Sequence, residues 1–190
     1  ELAEIYVDQR RFELAESLFL EGANIYEEHL GSEHPYLAIV LSHVADFYRT
    51  TGRFEQAETI LQRTVEIQER TPGGSDLTLT IYLLHLASTH VLQGDLDRSE
   101  ALLQQVLEIL DETDGRDDFM ANNITIGTYW RLGKLYRQRR DFPRAEHFLL
   151  ELLESYSDKT SGINAAGYST ELGNLYCDQA RPESAAPPLA

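Results

Sequence analysis

Val44-Ala45-Asp46-Phe47-Tyr48-Arg49-Thr50-Thr51-Gly52-Arg53-Phe54-Glu55-Gln56-Ala57 sets a large apolar residue beside a small one, then a ring, then a second small residue nine positions after the ring. The same spacing returns at Leu2-Ala3 with Tyr6 and Ala15, at Leu86-Ala87 with His90 and Ser99, at Leu132-Gly133 with Tyr136 and Ala145, and at Leu172-Gly173 with Tyr176 and Ala185. The leading small residues Ala3, Ala45, Ala87, Gly133 and Gly173 stand 42, 42, 46 and 40 positions apart. A near-fixed period of that length marks one supersecondary unit repeated along the chain. Such a unit cannot bury its apolar face alone, so the units stack, and a stack offers an extended surface for another polypeptide. The repeat points to binding rather than catalysis.

Each unit is expected to be two antiparallel helices. In the second repeat a helix from about Tyr36 to Thr50 carries Ile39, Val40, Val44, Phe47 and Tyr48 on its apolar side. Gly52-Arg53-Phe54 makes the turn, and Phe54, Ala57, Ile60, Leu61, Val65 and Ile67 recur at helical spacing through Glu69. Small residues at Ala45 and Ala57 let the two backbones approach. Connectors are expected at Leu30 to Pro35, Thr71 to Asp76, Thr113 to Asn123 and Ser157 to Gly162. The expected architecture is an all-α solenoid of helix pairs. Its repeats lie at about 1–35, 36–75, 76–117 and 118–162, with a partial fifth at 163–190, in one domain over 1–190. In the fifth repeat Pro182 replaces the turn phenylalanine and Pro187-Pro188 stops a second helix, so the last residues from about Ser184 are expected to fray. The chain opens at Glu1 rather than methionine, directly before the first signature, as a piece of a longer protein would.

Composition narrows the class. The chain is 42% apolar and 25% charged, with helix formers dominant, which fits a globular helical protein. Its apolar runs fall far short of the ~18 residues a membrane span needs, and no signal segment opens it, so membrane partners are not expected and the cytoplasm is the expected compartment. Cys177 is the sole cysteine, which rules out an internal disulfide or a paired-cysteine metal site. A net charge of −16 repels polyanions, so nucleic acid is not an expected partner.

The residues quoted above resemble the tetratricopeptide repeat, whose pattern runs through Leu-Gly, Tyr, Ala and Phe. The long period and Leu30-Gly31-Ser32-Glu33-His34-Pro35 in the first connector look like its kinesin-light-chain subtype. The resemblance covers nearly the whole chain. It implies a right-handed superhelix whose first helices line a concave groove, with peptide binding as the usual activity. Where the subtype carries an asparagine before the apolar-small pair, this chain has His43, His85, Arg131 and Glu171. Where chaperone-binding members need lysine and asparagine, the second repeat holds Ser42 and Asp46, so chaperone-tail binding is not expected.

Comparing the repeats with one another separates scaffold from specificity. The scaffold positions stay apolar or small, whereas a stripe on each first helix changes type: Ser42, Asp46, Arg49; then Leu84, Ser88, Val91; then Trp130, Lys134, Arg137; then Thr170, Asn174, Cys177. Spacing of four then three puts each trio on one helix face. The candidate binding residues are therefore Ser42, His43, Asp46, Arg49, His85, Ser88, Trp130, Arg131, Lys134, Arg137 and Asn174. Only the fourth repeat, over 130–169, is net positive, at +2. Trp130, Arg131, Lys134, Arg137, Arg139 and Arg140 crowd five of the sixteen Lys and Arg residues beside the only tryptophan. Tyr129 holds the family's usual tryptophan place, so Trp130 points about 100° away, toward the groove face. Tryptophan with arginine is an interface hot-spot composition. The patch is expected to take an acidic or C-terminal carboxylate segment, with Arg131, Lys134 and Arg137 as donors and Trp130 as anchor. The competing expectation is that these arginines pair with Asp141 and acids of the third repeat while Trp130 packs between repeats.

Other chemistry is sparse. His43, His85 and Asp46 outline a metal site only on paper, because adjacent helices stand ~10 Å apart. The acidic connector Asp111, Glu112, Asp114, Asp117 and Asp118 lacks calcium-loop spacing. No phosphate loop, nucleophile elbow or His-Glu-x-x-His is present, so neither enzyme activity nor a cofactor is expected. Besides a groove receptor, two further roles fit the sequence: a regulatory or sensor segment acting on an adjoining effector domain, and self-association through the end repeats.

Overall fold

In a computed structural model of the protein, residues 2–112, 119–157 and 162–180 are described. They form only α-helices: α1 (Leu2–Asp8), α2 (Phe12–Leu30), α3 (Pro35–Thr50), α4 (Phe54–Arg70), α5 (Asp76–Gln93), α6 (Leu96–Glu112), α7 (Phe119–Gln138), α8 (Phe142–Ser157) and α9 (Gly162–Gln179). The architecture is an all-α helical-repeat solenoid. The chain gathers into two compact units, Glu1–Arg116 and Asp117–Ala190. In the first, α1 packs on α2, α3 on α4 and α5 on α6, and the pairs join through α2 with α3 and α4 with α5. In the second, α7 packs on α8, and α9 packs on α8 with a lighter contact to α7. The expectations for Asp114, Asp117, Asp118, Pro182, Ala185 and Pro187-Pro188 lie outside the described residues.

The repeated small residues sit where helices meet. Ala15, Ala45, Ala57 and Ala145 are fully buried and Ala87 nearly so. In the first unit one apolar cluster runs through Ala45 of α3, Leu61 of α4 and Leu86 of α5, with Ile60 and Leu102 against it, so the core is continuous across the repeat boundary. In the second unit Gly133 is packed too closely for a side chain, since a Cβ would lie 2.8 Å from Cγ and Cδ2 of the buried Leu149, whereas its counterpart Gly173 is exposed with nothing within 4 Å of a Cβ.

Every described hairpin corner uses the same hydrogen bonds. The residue after the left-handed corner donates to the ring residue's carbonyl: Arg11 to Tyr6, Arg53 to Tyr48, Asp95 to His90 and Asp141 to Tyr136, at 2.8, 2.8, 2.9 and 2.9 Å. The corner residue itself donates three residues back, to Val7, Arg49, Val91 and Arg137. This is the Schellman closure, and it needs positive φ at the corner. Gly52 (φ 76°) and Gly94 (φ 84°) supply it in the second and third repeats, whereas Arg10 (φ 57°) and Arg140 (φ 59°) adopt it in the first and fourth.

A carboxylate latch ties successive repeats. Glu16 of α2 accepts from the Tyr48 hydroxyl of α3 at 3.1 Å and from both terminal nitrogens of Arg53 at 2.6 and 2.7 Å. The Arg53 guanidinium also lies 4.5 Å over the Tyr48 ring. At the next boundary Glu58 of α4 accepts from Gln93 at 2.7 Å and from Arg98 at 3.3 Å, with His90 Nε2 4.0 Å away. In the second unit Glu146 of α8 accepts from the Tyr176 hydroxyl of α9 at 2.7 Å. The signature rings Tyr48 and His90 are thus buried in the core while they approach a carboxylate of the preceding pair, whereas Tyr176 makes the same contact from an exposed position.

Two expectations about helix faces and ends are corrected. Ile39, expected on the apolar side of α3, is 44% exposed, because the buried arc runs through Leu37, Ala38, Leu41, Val44, Ala45, Phe47 and Tyr48, about 80° or more away around the helix. α7 starts at Phe119, inside the span expected as connector to Asn123, since the apolar period continues back through the buried Ile124 and Ala121.

Candidate functional site

In the first unit the face of α3 left open by its neighbours carries Tyr36, Ile39, His43, Asp46 and Thr50 at alternating spacings of three and four. The same register on α5 gives Thr78, Ile81, His85, Ser88 and the exposed Leu92. The stripe is exposed throughout on α3 and half-buried on α5 except at Leu92, and it shares Asp46 and Ser88 with the trios expected from sequence. Of those trios, Asp46 is exposed and held by Arg49 at 2.7 Å. Ser42 is half-buried, and its hydroxyl donates to the Ile39 carbonyl at 2.7 Å. Ser88 is also half-buried and donates to the Leu84 carbonyl at 2.8 Å. Both hydroxyls satisfy their own helix, as serine in a helix interior commonly does. Leu84, expected to line the surface, is buried. Sequence reasoning missed Tyr36 (61% exposed) and Leu92 (51% exposed) as apolar members of the stripe. Their recurrence with the histidines in steps of three and four is the signal that would have found them.

In the second unit α7 positions Trp130, Arg131, Lys134 and Arg137. Trp130 and Arg131 are half-buried and Lys134 is exposed. The Lys134 ammonium lies 4.5 Å from the centre of the Trp130 ring, one helical turn earlier, so the indole face already binds a cation. Arg131 donates to the Gly127 carbonyl at 2.8 Å. Arg137 reaches α9, where it pairs with Glu171 at 2.5 Å and Asp178 at 3.0 Å. Asn174, exposed on α9, falls between those two acids in helical register. The fold thus brings Arg137 and Asn174 to one seam and Trp130 and Lys134 to one stacked pair. Arg137 thus pairs with acids of the fifth repeat, and Asp141 pairs with Arg144 at 3.3 Å.

The electrostatics follow from this pairing. Glu171 and Asp178 neutralise Arg137 locally, whereas the Lys134 ammonium rests on an indole face that carries no charge of its own. Among the described residues no three His, Cys, Asp or Glu side chains gather as a metal site, and no helix is long and apolar enough to cross a membrane.

The tetratricopeptide repeat pattern matches residues 1–70 and 36–112, together more than half of the chain. No curated protein matches it by sequence. Among solved structures, BtubC (BKLC) from P. vanneervenii is similar, with 22% identity and a TM-score of 0.78 over 94% of this chain and 70% of that one. A putative kinesin light chain with nearly identical TPR-like repeats from Podosopora anserina has 20% identity and a TM-score of 0.75 over 95% of this chain and 84% of its own. A variant form of the latter gives a TM-score of 0.76 over the same shares.

Proposed function

The chain belongs to the tetratricopeptide repeat family, and we propose that it receives a polypeptide segment anchored at α7 by acidic groups. Repeats of this family are generally protein–protein interaction modules. The observation that carries the acidic preference is the Trp130–Lys134 pair on the one net-positive repeat of a chain with charge −16. In that surrounding a stray anion is repelled elsewhere, so a local cation beside an aromatic anchor selects both charge and apolar contact. Arg131 adds a second cationic group, and Arg137 holds α9 against α7 to define the edge of the site. The first unit offers contacts of its own, with Tyr36, Ile39 and Leu92 as apolar members of the open stripe and His43 and His85 as polar members between them.

A peptide-library selection against the full chain at ~0.15 M salt tests this. Acidic peptides should be enriched on the wild type and lost on a Lys134→Glu, Arg131→Glu variant. Arg137 is left untouched, since reversing it would disturb the α7–α9 seam. Equal enrichment on both proteins would refute the acidic anchor, and enrichment on neither would indicate a folded partner or an adjoining domain instead.

A further inference from the structure

The first repeat presents an uncovered copy of the contact that the second repeat makes to its predecessor. In the second repeat Tyr48 and Arg53 together receive the Glu16 carboxylate of α2, and Phe19, three residues further along α2, has its ring 5.4 Å from that of Phe47. The same parts recur 42 positions earlier, with Ile5 at the place of Phe47, Tyr6 at that of Tyr48 and Arg11 at that of Arg53. Arg11 is exposed, and its guanidinium lies 4.7 Å over the Tyr6 ring, as that of Arg53 lies 4.5 Å over Tyr48. This stacking leaves the guanidinium nitrogens able to bind a carboxylate, since Arg53 does both at once. Leu2 and Ile5 are 54% and 50% exposed, whereas their counterparts Val44 and Phe47 on α3, against which α2 packs, are buried.

The ion pairs at the same boundary define what a covering helix must carry. Glu16, Phe19, Ala23 and Glu27 recur in steps of three, four and four, so they share one face of α2. Glu27 accepts from Arg63 of α4 at 2.7 Å, and beyond the helix end Glu33 accepts from Arg70 at 3.0 Å. The counterparts of Arg63 and Arg70 in the first repeat are Glu21 and Glu28, both exposed, so both cations have become acids. A helix that meets α1 and α2 as α2 meets α3 and α4 therefore needs a glutamate for Tyr6 and Arg11, and an apolar residue three positions on. Eleven positions after the glutamate it needs a lysine or arginine to face Glu21. The first three repeats of this chain hold Glu27, Glu69 and Asp111 at that place, so a second copy would set acid against acid. The charge of −7 over residues 1–41 adds to the preference for a cation-bearing occupant.

We propose that the α1–α2 face docks an amphipathic helix of a partner protein, whose glutamate is received by Tyr6 and Arg11 and whose cation is received by Glu21. Its apolar residues cover Leu2 and Ile5, which is the helix-on-groove mode of recognition. This surface is built from α1 and α2 alone and stands whether or not α7 takes an acidic segment.

Two labelled 19-residue peptides, each helix-stapled on the face opposite Glu16, test it by fluorescence anisotropy on the full chain at ~0.15 M salt. One has the α2 sequence Phe12–Leu30, and the other carries Glu27→Arg in addition. The wild type should bind the arginine peptide about three- to tenfold more tightly than the α2 peptide. Arg11→Gln in the protein should weaken the arginine peptide by a similar factor. Glu21→Arg in the protein should reverse the preference between the peptides, an outcome that a folding defect does not produce because one of the two affinities rises. Equal binding of both peptides by the wild type, unchanged affinity in Arg11→Gln, or no binding of either peptide would each overturn the proposal. Tighter binding of the α2 peptide by the wild type would overturn it too and give the face to a second copy.

Discussion

Ser99 occupies the register held by Ala15, Ala57 and Ala145 in the other described repeats, and it is fully buried with no hydrogen-bond partner for its hydroxyl. A buried hydroxyl without a partner loses its bonds to water and gains none in return. Alanine fits the same space, as the three equivalent positions show. We therefore expect Ser99→Ala to stabilise the chain by about 1 kcal/mol, read as a higher midpoint in urea denaturation with unchanged slope. A loss of stability would mean that the hydroxyl does have a partner, such as a buried water.

At the scale of elements, charge contributes to structure mainly through the latch between repeats. Hydrogen bonds from Arg53 hold the Glu16 carboxyl below its ordinary value, outweighing its partial desolvation, and Tyr48 adds a further bond. The Tyr48 phenol is pushed up, chiefly by burial and then by Glu16. A carboxylate favoured in the folded state contributes stability above its unfolded value of 4.5 and loses it as pH falls through the lower folded value. The phenol works in the other direction, since its contribution is whole below 10.0 and is lost as pH rises past its raised folded value. Glu16→Gln is expected to cost about 0.5–1 kcal/mol near neutral pH, the size of a partly exposed ion pair with good geometry. Stability measured by urea titration at several pH values should show the gap between wild type and variant closing as pH falls below 4.5. A gap that persists in acid would assign the effect to shape rather than charge.

For the whole molecule, a net charge of −16 means that folding concentrates like charge, while the inter-repeat ion pairs are mostly half-exposed. Self-repulsion should outweigh them, so raising sodium chloride from ~0.01 to ~0.15 M is expected to raise the thermal midpoint, a falling midpoint instead giving the pairs the larger share. The amino-acid sequence by itself determined the repeat, the helix pairs, the corner at Gly52 and the burial of Ala45, Ala57 and Leu61, because periodic spacing of apolar and small residues is a local property of the chain. It also marked the fourth repeat, which α7 opens, as the one with a positive balance. It could not assign Ile39 to solvent or Leu84 to the core, since which arc of a helix is covered depends on the neighbours on both sides. Nor could it pair Arg137 with Glu171 and Asp178, or Glu16 with Tyr48 and Arg53, because residues some 32 to 41 positions apart meet only when one repeat stacks on the next. The stacking distance and rotation decided those partners, and with them where the guanidinium of Arg137 is held.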